Sequence, residues 1–82
     1  MRIAVDISLY PLTKDFISPI DDVIARLNSH ESLEVITNPM STQVSGEYDD
    51  VMAAINREIK ITFESSPKAV FAIKILNNSI AE

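Results

Sequence analysis

Polar side chains occur in two segments whose other residues are typical of β-strands. In the first segment, Asp6 and Ser8 alternate with valine, isoleucine and leucine, and in the second a run of hydroxyl and amide side chains lies between Met40 and Gly46. Asp and Ser do not favour the β-conformation, so their presence in such strands needs another explanation. One interpretation is a sheet face open to solvent. The other is that the hydroxyls converge on one small ligand.

The other residues that could do chemistry indicate no catalytic or metal site. His30 is the only histidine, and at a predicted helix end it is interpreted as a capping or surface residue. Glu47, Asp49 and Asp50 lie at the start of a predicted helix, where the helix dipole stabilises negatively charged carboxylates. The chain contains no cysteine, so it has no thiolate nucleophile and no cysteine-based metal site. We therefore predict a protein that is not an enzyme and that uses no metal or cofactor.

The charge balance argues against several classes of partner. The 82 residues include 12 acidic and 7 basic side chains, for a formal net charge of −5. Affinity for nucleic acid and for anionic lipid rests on clustered Lys and Arg, so neither is expected as a partner. No leader pattern or membrane-spanning apolar run is visible. We expect one cytoplasmic domain over residues 1–82.

Four strands are predicted from alternation and from turn residues. Arg2–Tyr10 alternates and ends at Pro11, which lacks the N–H that a strand ladder needs. Leu33–Thr37 and Met40–Ser45 form a tight antiparallel pair, which Gly46 is expected to end. Lys68–Leu76 forms the last strand.

Two helices are predicted between these strands. The first starts either near Thr13–Asp15 or at Ser18, where Ser-Pro-Ile-Asp offers a cap and an N1 proline. The second follows Gly46. Each carries an apolar stripe at helical spacing, consisting of Ile20, Val23, Ile24 and Leu27 in the first helix and of Val51, Ile55, Ile59 and Phe63 in the second.

The element order β-α-β-β-α-β predicts a ferredoxin-like α+β sandwich. Right-handed crossovers give a four-stranded antiparallel sheet with both helices on one face. In this topology the first and third strands are central neighbours, which brings Ser8 near the polar run of the third strand. The other sheet face stays bare, and its partly apolar side chains favour packing against a second copy over simple hydration. We therefore predict a homo-oligomer.

Two motifs make the chain recognisable. Ser8-Leu-Tyr-Pro-Leu12 and the segment from Met40 to Met52 resemble the YkoF-like family of thiamine- and hydroxymethylpyrimidine-binding proteins, over nearly the whole chain. The resemblance implies a ferredoxin-like domain that binds thiamine or its pyrimidine moiety without a reaction and that forms dimers or tetramers. Carried over by position, the family's ligand-contacting hydroxyls fall on Ser8 and Thr42.

A hydroxyl suits an aminopyrimidine because it can serve as donor or acceptor. Tyr10 either stacks on a ligand ring or packs structurally. Strand register decides which hydroxyls face Ser8, since a slip of one residue turns Thr42 away and brings Ser41, Gln43 and Ser45 to its side. The predicted ligand-binding residues are Ser8, Tyr10, Asn38, Ser41 and Thr42.

The predicted function is non-catalytic binding of thiamine or hydroxymethylpyrimidine by a carrier, a sensor or an accessory of transport or salvage. The alternative is an oligomeric regulatory or protein-interaction domain of the same fold, whose open sheet face binds its partner. Fold alone does not separate the two functions.

Overall fold

The computed structural model describes residues 1–78 and contains six elements in the predicted order. The strands are β1 (Arg2–Pro11), β2 (Glu34–Thr37), β3 (Thr42–Glu47) and β4 (Ala69–Leu76), and the helices are α1 (Ile17–Asn28) and α2 (Tyr48–Ser65). Neither helix in this part of the chain combines the length and the apolar character that crossing a bilayer requires.

The four strands form one antiparallel sheet in the order β2-β3-β1-β4. This order, with both crossovers carrying a helix, is the ferredoxin-like α+β arrangement, and the prediction of the fold class is confirmed. As predicted, β1 and β3 are the central pair. In this topology the two β-α-β units interleave, so that β1 lies between β3 and β4.

The core lies between the sheet and the two helices. The odd-numbered residues of β1 from Ile3 to Leu9 point to this side and are buried, together with Val44 of β3. Val23 and Leu27 of α1 and Val51 and Ile55 of α2 pack on them. The alternation of β1 and the helical spacing of the two stripes therefore identified most of the core.

A buried carboxylate joins the two helices. Glu58 of α2 is 2% exposed and accepts hydrogen bonds from Arg26 Nε at 2.7 Å and from the His30 ring at 2.8 Å. Arg26 also donates to Thr62 Oγ1 at 2.8 Å. His30 is therefore a partner of Glu58. The sequence indicated a capping or surface residue, because the carboxylate that His30 contacts lies 28 residues away along the chain.

Gly46 does not end the third strand, as the sequence predicted, but lies inside β3. A Cβ atom at this position would lie 3.2 Å from Leu33 Cδ2 and 3.3 Å from both the Ser32 carbonyl oxygen and Val51 Cγ2. Glycine thus allows Leu33, the Ser32 carbonyl and Val51 to approach the strand closely, and its φ angle is not positive.

The start of α1 and the end of the apolar stripe on α2 differ from the prediction. α1 starts at Ile17, between the two predicted starts, and Ser18 lies in its first turn without acting as a cap. The Asp15 side chain accepts from Ser18 N at 3.3 Å. At the end of α2, Thr62 is buried and Phe63 is half exposed, with its ring 5.6 Å from that of Phe71 on β4.

Candidate functional site

β1 extends beyond the end of β3, and this difference creates a gap at one end of the sheet. The ladder between β1 and β3 ends with the pair Ile7 and Thr42, whereas β1 continues to pair with β4 as far as Pro11 and Ala69. The edge of Ser8–Tyr10 that faces β3 therefore lies outside that ladder. Backbone donors and acceptors along such an edge are available to another group.

Asn38 shapes the loop that crosses this gap. Its Oδ1 accepts hydrogen bonds from the backbone N–H groups of Met40 at 2.8 Å and Ser41 at 3.0 Å, and its own N–H donates to the Ser41 carbonyl at 3.0 Å. Asn and Pro favour this turn because the Asn side chain imitates a backbone acceptor. The loop between β2 and β3 is thereby held as a compact wall beside β1.

A cavity of about 270 Å³ lies between this loop, the end of β1 and α1. Its apolar lining comes mainly from β1, α1 and β4, whereas most of its polar side chains belong to β2, the loop and β3. Its lining consists of Ile7, Ser8, Leu9, Tyr10, Ile20, Val23, Ile24, Leu27, Thr37, Asn38, Pro39, Met40, Ser41, Thr42 and Phe71. An apolar cavity with a few convergent polar groups is the usual form of a small-molecule site.

Two threonine hydroxyls meet at the polar wall. Thr37 of β2 and Thr42 of β3 are paired across the hairpin, and their Oγ1 atoms lie 3.1 Å apart. Thr42 is 6% exposed. Since a hydroxyl has one donor and two acceptor positions, each threonine keeps capacity for a ligand while the pair fixes the direction of both groups.

All five predicted ligand-binding residues line this cavity, but two of them lie on opposite faces of the sheet. Thr42 is directly opposite Ile7 and shares its helix-facing side. Ser8, the next residue of β1, therefore points to the open face, on the side of Gln43 and Ser45. Ser8 and Thr42 reach the same cavity because β3 has ended at this level and the cavity opens around the free edge of β1.

The sequence prediction missed Thr37 and most of the apolar wall. The α1 stripe, headed by Ile20 and Ile24, was interpreted only as core, although it also borders the cavity. Thr37 carried a usable signal: it is a hydroxyl residue just before the turn, and a tight hairpin places it opposite a residue just after the turn. Phe71 of β4 packs against the core and also lines the cavity.

The described lining of the cavity carries no formal charge of its own. Among the described residues that line the cavity, none is Lys, Arg, His, Asp or Glu. The chain as a whole has a net charge of −5. Within residues 1–78, no three His, Asp or Glu side chains gather as metal ligands would. The arrangement favours an uncharged or cationic ligand over an anion.

Asp6 is the second unusual polar residue of β1 and lies away from the cavity, on the open sheet face between Gln43 and Lys74. Its Oδ1 is buried and has no hydrogen-bond partner among the described residues.

Comparison with solved structures identifies several proteins of the same fold. A Streptococcus pneumoniae protein superposes with a TM-score of 0.90 at 24% identity, covering 100% of this chain and 92% of the other. A candidate thiamine biosynthesis/salvage protein from Thermotoga maritima gives a TM-score of 0.84 at 20% identity, covering 95% and 85%. A Methanocaldococcus jannascii protein gives 0.81 at 20% identity, covering 99% and 84%.

Sequence comparison gives the family. No curated protein matches this chain. The family model of the thiamine-binding proteins, by contrast, matches residues 5–79, a span that includes the strand ends, the loop at Asn38 and the α1 wall. The chain therefore belongs to the thiamine-binding protein family.

Proposed function

We propose that this protein binds thiamine in the cavity beside β1, mainly through the hydroxymethylpyrimidine moiety, and that it does so without chemical reaction. In this role it would act in the cytoplasm as a carrier, a sensor or an accessory of thiamine transport or salvage. The observation that carries the proposal is the position of the cavity: it is lined by residues of both family-like motifs, which are separated by about 30 residues in the chain.

The size of the cavity suits a single ring. Pockets for drug-sized ligands range from about 300 to 1,000 Å³, and this one, of about 270 Å³, is slightly smaller. One substituted pyrimidine would fill it, and the second ring of thiamine would lie toward the mouth, near Met40 and Tyr10. Both of these side chains are largely exposed.

The polar groups match an aminopyrimidine. The ligand offers ring nitrogens that accept and an exocyclic amine that donates, and hydroxyls supply either role. Thr42 and Ser41 would bind from the side of the loop, and Ser8 with the free edge of β1 from the other. The apolar α1 wall would cover the ring face. Tyr10 would stack on a ring at the mouth, where the acidic surface also favours a cationic thiazolium.

Isothermal titration with thiamine and with hydroxymethylpyrimidine tests the proposal. Thr42→Val keeps the shape of the threonine and removes its hydroxyl, and Ser8→Ala removes the second one. Ser45→Ala is the matched control, because Ser45 is a β3 hydroxyl on the open face outside the cavity lining. We expect the first two variants to weaken binding and the control to leave it unchanged. Absence of binding to either compound by the parent protein overturns the proposal.

A second candidate function rests on the open sheet face. Tyr10, Ile36, Val70 and Leu76 lie on this face and are roughly half exposed or more, which is the pattern of a docking surface. We infer that the chain forms a homo-oligomer, a dimer or a tetramer. A regulatory or interaction domain would use the same surface, and it would retain its partner in variants that no longer bind thiamine.

A further inference from the structure

The hydrogen-bond pattern of β1 shows which of its backbone groups face the cavity. In an antiparallel sheet, the N–H and the C=O of one residue point to the same neighbouring strand, and successive residues alternate between the two neighbours. The Leu12 N–H donates to the Lys68 carbonyl at 3.0 Å, and these two residues continue the register of β1 with β4. The even-numbered residues of β1 therefore bond to β4.

The odd-numbered residues of β1 are directed toward β3. The Tyr48 N–H donates to the Met1 carbonyl at 2.9 Å, and this pair continues the register in which Ile7 lies opposite Thr42. Both ends of β1 thus give the same alternation. Leu9 is the next odd-numbered residue, and it points its N–H and its C=O to the side where β3 has ended.

The turn at Asn38 leaves these two groups of Leu9 without a strand partner. Continuation of the β1–β3 register would place Met40 opposite Leu9, but the Met40 N–H donates to Asn38 Oδ1 at 2.8 Å instead. Among the loop and side-chain hydrogen bonds of residues 1–78, none involves the Leu9 backbone. Leu9 is 8% exposed and lines the cavity. A buried backbone N–H and C=O without partners cost free energy, which a bound ligand recovers.

We propose that the pyrimidine binds edge-on to the Leu9 backbone, in the place that a residue of β3 would occupy. A ring nitrogen accepts from the Leu9 N–H, and the exocyclic amine beside it donates to the Leu9 C=O. These two groups are neighbours on the ring both in thiamine and in hydroxymethylpyrimidine. The other ring nitrogen stays available for a hydroxyl such as that of Thr42. The inference rests on the proposed function and names the chemical feature of the ligand that the site selects.

The Leu9 backbone discriminates between ligands in a way that the hydroxyls do not. A hydroxyl donates or accepts as the ligand requires, so Ser8 and Thr42 tolerate either arrangement. The Leu9 N–H can only donate, and the Leu9 C=O can only accept. The site therefore favours an aminopyrimidine over an oxopyrimidine, in which the ring nitrogen carries a hydrogen and the exocyclic oxygen accepts. Turning the oxopyrimidine over would exchange its methyl group with the substituent that carries the second ring.

Oxythiamine tests this selection on the parent protein, because it replaces the exocyclic amine of thiamine by oxygen and keeps the second ring. We expect isothermal titration to show binding at least about a hundredfold weaker than that of thiamine, since two hydrogen bonds are replaced by two contacts between like groups. Equal affinity for the two compounds overturns the proposal, because recognition by hydroxyls alone gives that result.

An amide-to-ester exchange tests the Leu9 N–H itself. Incorporation of the α-hydroxy acid analogue of leucine at this position replaces the N–H by oxygen and keeps the buried side chain. We expect thiamine binding to weaken about tenfold, because the ligand loses one hydrogen bond in a buried site. The exchange also weakens the carbonyl of the preceding residue as an acceptor, and that carbonyl bonds to β4.

The same exchange at Val35 is the matched control. The Asn38 N–H donates to the Ser41 carbonyl in the register of β2 with β3, so the even-numbered residues of β2 bond to β3 and the Val35 N–H points to the outer edge of the sheet. This ester, too, weakens one carbonyl that bonds within the sheet, and Val35 does not line the cavity. Its thiamine affinity should equal that of the parent protein.

The outcomes separate the inference from the proposed function. A parent protein that binds neither thiamine nor hydroxymethylpyrimidine overturns the proposed function. A parent protein that binds thiamine and oxythiamine equally well retains that function and overturns the role of Leu9. Equal thiamine affinity of the Leu9 and Val35 esters also overturns it. If the Leu9 ester does not fold in thermal melting, the comparison with oxythiamine on the parent protein still decides.

Discussion

Ile7 and Thr42 are paired directly across β1 and β3, and theirs is the last pair of that ladder. The pair turns Thr42 toward the helices, and by ending there it frees the edge of Ser8–Tyr10. One relationship thus places Thr42 in the buried wall of the cavity and opens the gap in which the cavity lies.

Thr42→Val should weaken thiamine binding about tenfold, which corresponds to ~1.4 kcal/mol, because a ligand group would lose its hydrogen-bond partner in a buried site. Thr37→Val should weaken binding less, since it removes the group that orients Thr42 across 3.1 Å. Isothermal titration of both variants gives the two affinities. Equal affinity of Thr42→Val and the parent protein would exclude this hydroxyl from the site.

Asn38→Ala should lower thiamine affinity by roughly fivefold, ~1 kcal/mol, because the loop loses the acceptor that holds the Met40 and Ser41 N–H groups. Asn38→Asp keeps an oxygen at this position and should restore most of the affinity. Titration is combined with thermal melting, which should change little for an exposed loop residue. If Asn38→Ala and Asn38→Asp bind thiamine with the same affinity, the conformation of the loop does not depend on this acceptor.

Thiamine should bind about threefold more tightly than its phosphate esters, because the cavity lining contains no cationic side chain in the part of the chain that the structure describes, and a phosphate at the mouth would be repelled by the acidic surface of a chain with a net charge of −5. Competition titration measures the ratio. Met40→Lys introduces a cation at the largely exposed mouth and should narrow the difference. Equal or tighter binding of a phosphate ester would contradict the expected charge selectivity.

Glu58→Ala should destabilise the fold by about 3 kcal/mol, because it leaves the Arg26 guanidinium partly buried without its carboxylate and also frees His30. Urea denaturation measures the loss. Glu64→Ala removes an exposed glutamate from the same helix and should change stability by less than about 0.5 kcal/mol. Similar values for the two variants would show that the interhelical network adds little to stability.

Gly46→Ala should destabilise by about 1 kcal/mol, since the added methyl group is crowded by Leu33, Val51 and the Ser32 carbonyl. The backbone there is accessible to alanine, so the loss would report packing alone. Urea denaturation measures the loss. Ser45→Ala, a neighbouring β3 substitution on the open face, is the control and should change the free energy of unfolding less. A gain in stability would mean that the surrounding side chains relax easily.

Much of the fold was predictable because local patterns report it. The period of two in β1 and the helical spacing of the α1 and α2 stripes reflect which side of each element is buried. The errors lie where contacts distant in the chain decide the outcome. Gly46 lies inside β3, close to Leu33 and Val51, and Phe63 is half exposed with its ring against Phe71 of β4.

The sequence by itself determined the order of the six elements, the central pairing of β1 with β3, the family and the five candidate ligand-binding residues. Only the tertiary structure decided how those residues meet, because register and relative strand length depend on pairing between distant segments. The sequence brought Ser8 and Thr42 to neighbouring strands but left open the register, and with it the face on which Thr42 lies. They lie on opposite faces and meet around the free edge of β1, where β3 ends and α1 closes the wall.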